Sequence, residues 1–134
     1  MTLATLGRAV LWWAAILVLA IANGILRDTL LVAAMGPFAA LVTSGIVLSL
    51  VIVVVAYIAV PGLGSLEGSQ YWLVGVAWLA LTLVFELGLG LLVQQQSPSQ
   101  LLRAYTFEGG NLWPVVLVVT LVSPRLAAFL RARS

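Results

Sequence analysis

Four long apolar segments, separated by short polar ones, make up most of the chain. The apolar segments cover about 9–26, 38–60, 71–94 and 112–130. A transmembrane helix needs ~20 predominantly apolar residues, and each segment is of about that length. Val and Ile are frequent in the second segment, but a run this long and apolar indicates a spanning helix. The pattern predicts an all-α integral membrane protein in which four transmembrane helices form an up-down bundle, a single domain over 1–134.

Proline and glycine predict where these helices begin. Gly36-Pro37 precedes the second segment, and Pro suits the first turn of a new helix. Between the third and fourth segments, Ser97-Pro98-Ser99-Gln100 fits a capping box with Pro at the first helical position. This motif predicts a short interfacial helix over about 98–106. Asn111 can cap the fourth transmembrane helix, in which Pro124 predicts a kink.

The end of the first apolar segment carries two polar pairs. Asn23-Gly24 predicts a cap or a break there, with ligand contact as the alternative. Arg27-Asp28 predicts a solvated pair that closes the span at the interface, with a gate as the alternative. Arg8, the apolar run after it and Ala20-Ile21-Ala22 also resemble a cleavable signal peptide. We interpret the segment as a true span.

One carboxylate, Glu86, lies inside the third apolar segment. A charged group inside a membrane span is costly, so it is a functional-site hypothesis by default. Small and polar residues recur around it at four-residue spacing, as in Thr82, Glu86 and Gly90, and such stripes favour close helix contacts in lipid. We expect a polar cluster in the outer half of the bilayer. Its predicted members are Glu86, Asn23, Arg27, Ser44 or Thr43, Thr82, and Arg103 or Asn111.

Glu86 has two interpretations. In the structural one, Glu86 pairs with Arg27 or Arg103, or is protonated and hydrogen-bonded to Asn23 and Ser44, and only fixes the register of the helices. In the functional one, it binds a proton or a cation. The two overlap, because a paired carboxylate can exchange partners.

Composition excludes several classes of protein. Only 7% of the 134 residues are charged, and the mean hydropathy is +1.21. A soluble domain carries about a quarter charged residues, so a soluble reading fails. The absence of Cys and His removes disulfides, thiol chemistry, the commonest metal ligands and the usual general base. We therefore expect no metal and no cofactor.

Arginine placement predicts the orientation in the membrane. Four spans put both termini on one side, and an excess of arginine marks the cytoplasmic side. This rule predicts a multi-pass membrane protein with both termini in the cytoplasm. The arginines also lie at span ends, so their charge does not indicate nucleic-acid binding. The side with the termini holds Arg8, Arg125, Arg131 and Arg133 against Glu67; the other holds Arg27 and Arg103 with Asp28 and Glu108.

These features leave three functional hypotheses. The first is a non-enzymatic membrane protein with a structural or accessory role. The second is a small oligomeric transporter or channel in which Glu86 binds a proton or a cation. The third and weakest is an enzyme that acts on lipid, since a lone Glu with Asn and Arg provides little catalytic machinery. The expected partners are the lipid bilayer and either further copies of the chain or a larger membrane protein.

Two stretches carry a resemblance to a known group. One runs from Asn23 to Asp28 (NGILRD) and continues through Gly36-Pro37 to Ser44; the other is Phe85–Gly90 (FELGLG) with the segment up to Trp113. They resemble uncharacterised small four-helix bacterial integral membrane proteins with N-G-x-x-R-[DE] and F-E-x-G-x-G segments. The resemblance covers roughly two thirds of the chain and implies the four-span fold and a shared polar cluster, with no activity attached.

This chain departs from that group in one respect. In the group, His tends to follow the F-E-x-G-x-G segment and to precede the serine of the second span. Leu91 and the apolar residues near Ala40 stand at those places here, which puts a His-dependent role in doubt. Small multidrug transporters and fluoride channels fit worse: the former carry their membrane Glu in the first span, and the latter have another Asn, Gly and Phe pattern.

Overall fold

Four long helices dominate the computed structural model, which describes residues 3–63, 66–93, 95, 97–99 and 112–133. We number them α1 (Leu3–Leu26), α2 (Pro37–Ala59), α3 (Gly68–Gly88) and α4 (Trp113–Arg133). No strand occurs in these ranges. Each helix belongs to a helical segment that is long and apolar enough to cross a membrane, with a mean hydropathy between 1.8 and 2.8. The prediction of an all-α bundle with four transmembrane helices is confirmed.

Helical structure continues past the predicted end of the first span. A π-helical turn (Arg27–Leu31) and a short helix (Val32–Met35) follow α1 directly. The chain turns only at Gly36, whose φ of 84° lies in the left-handed region that favours glycine. Pro37 is the first residue of α2, as the Gly-Pro pair predicts. Asn23 and Gly24 therefore lie inside a continuous helix and do not end it.

The third helix begins three residues before the predicted start at Tyr71, because a polar cap precedes it. The backbone N–H of Glu67 donates to the Gln70 side chain at 2.9 Å, and the Glu67 side chain accepts from the Gln70 backbone in return. This capping box satisfies N–H groups that a helix start leaves open. A π-helical segment (Leu89–Val93) follows α3. The predicted interfacial helix over 98–106 falls almost wholly outside the described residues.

The order of the helices around the bundle differs from their order in the chain. α4 packs closely on both α2 and α3, and α1 packs on the same two helices from the opposite side. α2 and α3 therefore lie on one diagonal, and α1 and α4 on the other. The helix directions alternate, so the bundle has two ends. We call them the Arg27 end, where α1 and α3 finish, and the Arg131 end, where α2 and α4 finish.

Glycines let α4 approach its neighbours. A Cβ on Gly75 of α3 would overlap the carbonyl oxygen of Leu121, and one on Gly45 of α2 would lie 2.6 Å from the Leu112 Cβ. Small residues allow such close backbone contact, and van der Waals packing drives helix association in lipid. Toward the Arg131 end these seams are continuous with the apolar core. Its members include Ile52, Val55, Ala56, Leu63, Val74, Trp78 and Ala127.

A proline inside α4 is compensated by the residue before it. Pro124 lacks the N–H that would bond the carbonyl of Thr120, four positions earlier. The Ser123 hydroxyl donates to that carbonyl instead, at 3.1 Å, and is fully buried.

Nearer the end of α4, the Arg131 guanidinium lies 4.2 Å from the centroid of the Tyr57 ring, and its Nε donates to the Tyr57 carbonyl. Both contacts of Arg131 join α4 to α2.

Candidate functional site

Two tryptophans join α1 to α3. Trp78 Nε1 donates to the carbonyl oxygen of Ala9 at 2.8 Å, and Trp13 Nε1 donates to the Thr82 hydroxyl at 3.0 Å. The Thr82 hydroxyl in turn donates to the Trp78 carbonyl at 2.8 Å. The first bond joins Ala9 to Trp78 and the second joins Trp13 to Thr82, so a step of four residues along α1 matches a step of four residues in the same direction along α3. They therefore show that α1 and α3 are parallel and place Trp13 level with Thr82.

A cavity of about 400 Å³ extends from this level toward the Arg27 end, and all four helices line it. Ligand pockets in proteins are of about 300–1,000 Å³, so the space is large enough for a small organic molecule. Most of the wall is apolar, and three aromatic rings contribute to it. The polar lining residues are Asn23, Arg27, Ser44, Thr82, Glu86 and Thr120, and the aromatic ones are Trp13, Phe85 and Trp113.

Glu86 lines the cavity near its deep end. It lies one helical turn beyond Thr82, which is ~6 Å along the axis. Its side chain is half-buried, and no hydrogen bond or ion pair joins it to any residue in the described ranges. Arg27 lies 14 positions beyond Trp13, which is ~21 Å along the same axis, so ~15 Å of helix separates it from Glu86. The structure contains no Glu86–Arg27 pair.

Asn23 and Ser44 form a pair of their own. The Ser44 hydroxyl donates to Asn23 Oδ1, and Asn23 Nδ2 donates to the Ser44 carbonyl at 3.4 Å. Ser44 is buried, and the two bonds hold α1 against α2 on the cavity wall. Asn23 lies ten positions beyond Trp13 and thus ~9 Å above Glu86 along the axis. The expected bond from Asn23 and Ser44 to Glu86 is therefore absent.

Arg27 lies at the mouth of the cavity and bonds to its neighbour in the sequence. Its Nε is 3.1 Å from Asp28 Oδ1, and the two side chains are 31% and 68% exposed. A Cβ on Gly24 would lie 3.7 Å from Arg27 Nη2, so the guanidinium extends back along α1 over that glycine. This geometry agrees with the solvated pair that the sequence predicts.

The structure brings five of the eight predicted site residues to one cavity: Asn23, Arg27, Ser44, Thr82 and Glu86. Thr43 does not line it, and its hydroxyl contacts Met35 Sδ at 3.5 Å. Arg103 and Asn111 lie outside the described residues.

The aromatic part of the wall was not among the predicted site residues. A signal was present on α1, where Trp13, Ala20 and Arg27 recur every seven residues and so share one helix face. On α4, Trp113, Val116 and Thr120 show the matching three- and four-residue spacing. Spacing of this kind also marks an ordinary core stripe, so it indicates a cavity only once the packing is known.

The fold and the cavity together define a small polytopic membrane protein with an acidic group on the wall of an internal pocket. No protein-family model, curated protein or solved structure matches the chain.

Proposed function

We propose that this chain is a small membrane transporter or channel in which Glu86 binds a proton or a cation. The observation that carries this proposal is the Glu86 carboxylate on the wall of a ligand-sized cavity, with no partner among the described residues. An acidic side chain kept only to fix helix register would bond a neighbouring polar group, as Asn23 and Ser44 bond each other. An ionisable group is costly inside a membrane, and its presence beside open space favours a role in a substrate or ion pathway.

Irregular backbone near the cavity supports the same proposal. The π-helical segments Arg27–Leu31 and Leu89–Val93 both lie at the Arg27 end, on the two helices that contribute Asn23 and Glu86. Such segments are rare and occur frequently at functional sites. Their first residues, Arg27 and Leu89, both line the cavity.

A non-enzymatic accessory role is the second candidate, and the internal hydrogen bonds favour it. The Asn23–Ser44 pair and the Trp13–Thr82 bond satisfy these side chains within the chain itself. The bundle therefore has polar contacts that hold α1 in place without any ligand. A protein of this kind would use Glu86 only for assembly.

Flux measurements separate the two candidates. The purified protein is placed in liposomes that contain a pH-sensitive dye, and proton movement is followed under an imposed potassium diffusion potential. We expect proton flux above that of protein-free vesicles, its loss in Glu86→Gln, and no change in the control Glu67→Gln. The control replaces the exposed capping carboxylate of α3 with an amide whose oxygen can still accept the capping hydrogen bond. Both variants should keep the helical circular dichroism of the parent.

Two results would contradict the transport proposal. One is a parent protein with no flux above protein-free vesicles. The other is Glu86→Gln with unchanged flux; if that variant altered only the melting temperature or the oligomeric state, the accessory role would be supported instead.

We also propose a bacterial inner-membrane location with the Arg131 end in the cytoplasm. The orientation is supported by the excess of arginine at that end, where Arg8, Arg125 and Arg131 are balanced by Glu67 alone. The location is supported by the resemblance to small bacterial integral membrane proteins. Green fluorescent protein fused after Ser134 and produced in a bacterial host should then fluoresce, because it does not fold when exported through the general secretion route. A dark fusion that is present in the membrane fraction would reverse the orientation.

A further inference from the structure

We infer that the cavity binds a lipophilic organic monocation, whose charge lies against Glu86 and whose apolar body packs on the aromatic and aliphatic wall. This ligand enters laterally from the bilayer, between α1 and α3. The inference rests on the proposed function of Glu86 as a cation-binding group and names the class of its substrate.

The size and the lining of the cavity favour an organic ion over an inorganic one. Hard inorganic cations such as Ca²⁺ and Mg²⁺ need about six or more oxygen ligands, and a proton needs no cavity at all. The nearest polar group on the Glu86 face of α3 is the Thr82 hydroxyl, which already accepts from Trp13 and donates to the Trp78 carbonyl. A volume of about 400 Å³ with a mostly apolar wall suits a ligand whose charge needs a single counter-ion.

The aromatic residues fit the same kind of ligand. Trp13, Phe85 and Trp113 come from three different helices and line the same cavity as Glu86. Faces of aromatic rings attract quaternary ammonium and similar cations, most strongly when water is excluded. An organic cation can use these rings as well as the carboxylate.

The charges along the cavity predict a single positive charge on the ligand. Arg27 would favour an anion, but its guanidinium is bonded to Asp28, and its backbone position on α1 lies ~15 Å along the axis beyond that of Glu86. In the deep part, between Trp13 and Glu86, the one charged lining residue that the structure describes is Glu86 itself. One carboxylate balances one positive charge.

A gap between α1 and α3 provides the route from the membrane. Ile21 lines the cavity and is nevertheless 49% exposed, so the wall is incomplete at its level. Below this level, Trp13 and Trp78 join the two helices; toward the Arg27 end, no hydrogen bond between described residues does so. Because these helices span a membrane, the exposed side of Ile21 faces lipid. A ligand that enters there has to be soluble in the bilayer.

The ligand class can be tested with two probes of matched shape and opposite charge. Tetraphenylphosphonium and tetraphenylborate, both radiolabelled, are titrated onto the full chain in lipid nanodiscs, and binding to empty nanodiscs is subtracted. We expect saturable binding of the cation alone, weakened at least about tenfold in Glu86→Gln and unchanged in Glu67→Gln. Equal binding of both probes, or cation binding that Glu86→Gln leaves unchanged, would overturn the ligand class.

This test fails independently of the one for the proposed function. Proton flux that depends on Glu86, without saturable phosphonium binding, would refute the organic ligand and leave the transport proposal standing. Glu86-dependent phosphonium binding in a protein without flux would support the ligand class and refute transport.

The route is tested by narrowing the gap. Ile21→Trp should slow phosphonium association by about fivefold or more, since association falls when access to a site is hindered. Val18→Trp is the matched control, because Val18 is a similarly exposed residue of α1 that does not line the cavity. Equal association rates in the two variants would overturn the lateral route.

Discussion

Helices α1 and α4 face each other across the bundle, and they are attached to the same two neighbours by different means. α4 lies against glycines, Gly45 of α2 and Gly75 of α3, with its backbone close to theirs. α1 is attached by side-chain hydrogen bonds to α2 and α3, and less of its span is buried, 11% against 28% for α4. The cavity lies beside α1, toward the Arg27 end, and the other three helices complete its wall.

Helices inside a bilayer associate without a hydrophobic driving force, and this difference shows two ways in which they do so. Close backbone contact uses dispersion and leaves no internal space, whereas polar side chains bridge helices that stay farther apart. In this bundle the second kind of attachment holds the helix α1 beside the cavity. The Asn23–Ser44 and Trp13–Thr82 bonds provide it here.

The largest expected effect comes from adding a side chain at a glycine against which α4 packs. Gly75→Ala places a methyl group on the Leu121 carbonyl oxygen, which forces α3 and α4 apart and should cost roughly 3 kcal/mol of unfolding free energy. The measurement is unfolding in mixed detergent micelles, followed by circular dichroism.

Gly88→Ala, on the same helix, is the control, because a Cβ there meets nothing within 4 Å. If the two variants were equally stable, the close backbone contact between α4 and α3 would be refuted.

Removing a tryptophan hydrogen bond should weaken the attachment of α1. Trp78→Phe loses the bond to the Ala9 carbonyl and part of a fully buried ring, for a cost of roughly 2 kcal/mol in the same unfolding assay. Trp72→Phe is the matched change at a residue that is 44% exposed and should cost little. A smaller loss for Trp78→Phe than for Trp72→Phe would contradict this account.

The compensation around Pro124 can be isolated by a double-mutant cycle. Ser123→Ala leaves the Thr120 carbonyl without its donor and should cost about 1 kcal/mol. Pro124→Ala restores a backbone N–H to the same carbonyl, so Ser123→Ala should cost clearly less in that background. Equal costs in both backgrounds would show that the serine and the proline are independent.

The polar contact between α1 and α2 should contribute less. Asn23→Ala and Ser44→Ala should show a coupling free energy of about 0.6 kcal/mol, which is typical of hydrogen bonds between membrane helices. Thr43→Ala serves as the control partner for Asn23→Ala, because its hydroxyl contacts Met35 instead. Coupling of Asn23 to Thr43 as strong as its coupling to Ser44 would argue against the observed pair.

The smallest effect is expected at the mouth of the cavity. Asp28→Asn breaks the bond to Arg27, but the carboxylate is 68% exposed, and such pairs are worth about 0.2–1 kcal/mol. Unfolding measured at low and at high salt should show a small loss that disappears as salt rises. A loss of several kcal/mol that persists in high salt would mean that this pair anchors the bundle.

The lengths of the apolar runs, and the glycine and proline residues between them, predicted much of this fold. The four spans follow from unbroken apolar runs, and Gly36-Pro37 marks the start of α2 because only glycine adopts the required φ readily. The extension of α1 was not predictable, since Arg27 and Asp28 end an apolar run without ending hydrogen-bonded helix. The early start of α3 follows from the Glu67 and Gln70 cap, which the apolar pattern alone does not show.

The sequence predicted which residues belong to the site but not how they lie relative to one another. Polar residues inside apolar segments had to avoid lipid, so Asn23, Ser44 and Glu86 pointed inward. The sequence could not give the axial offset between α1 and α3, which the Trp13–Thr82 contact sets across 69 positions. That offset decides that Arg27 lies far above Glu86 and bonds to Asp28 instead.

The position of α4 between α2 and α3 has a consequence for biogenesis. These two helices scarcely touch each other, and both make their closest contacts with α4, which leaves the ribosome after them. A nascent chain that stops before Trp113 would hold three inserted helices, with α2 and α3 linked only through their fewer contacts with α1. We expect such intermediates to be handled by membrane chaperones or proteases until translation supplies the fourth helix.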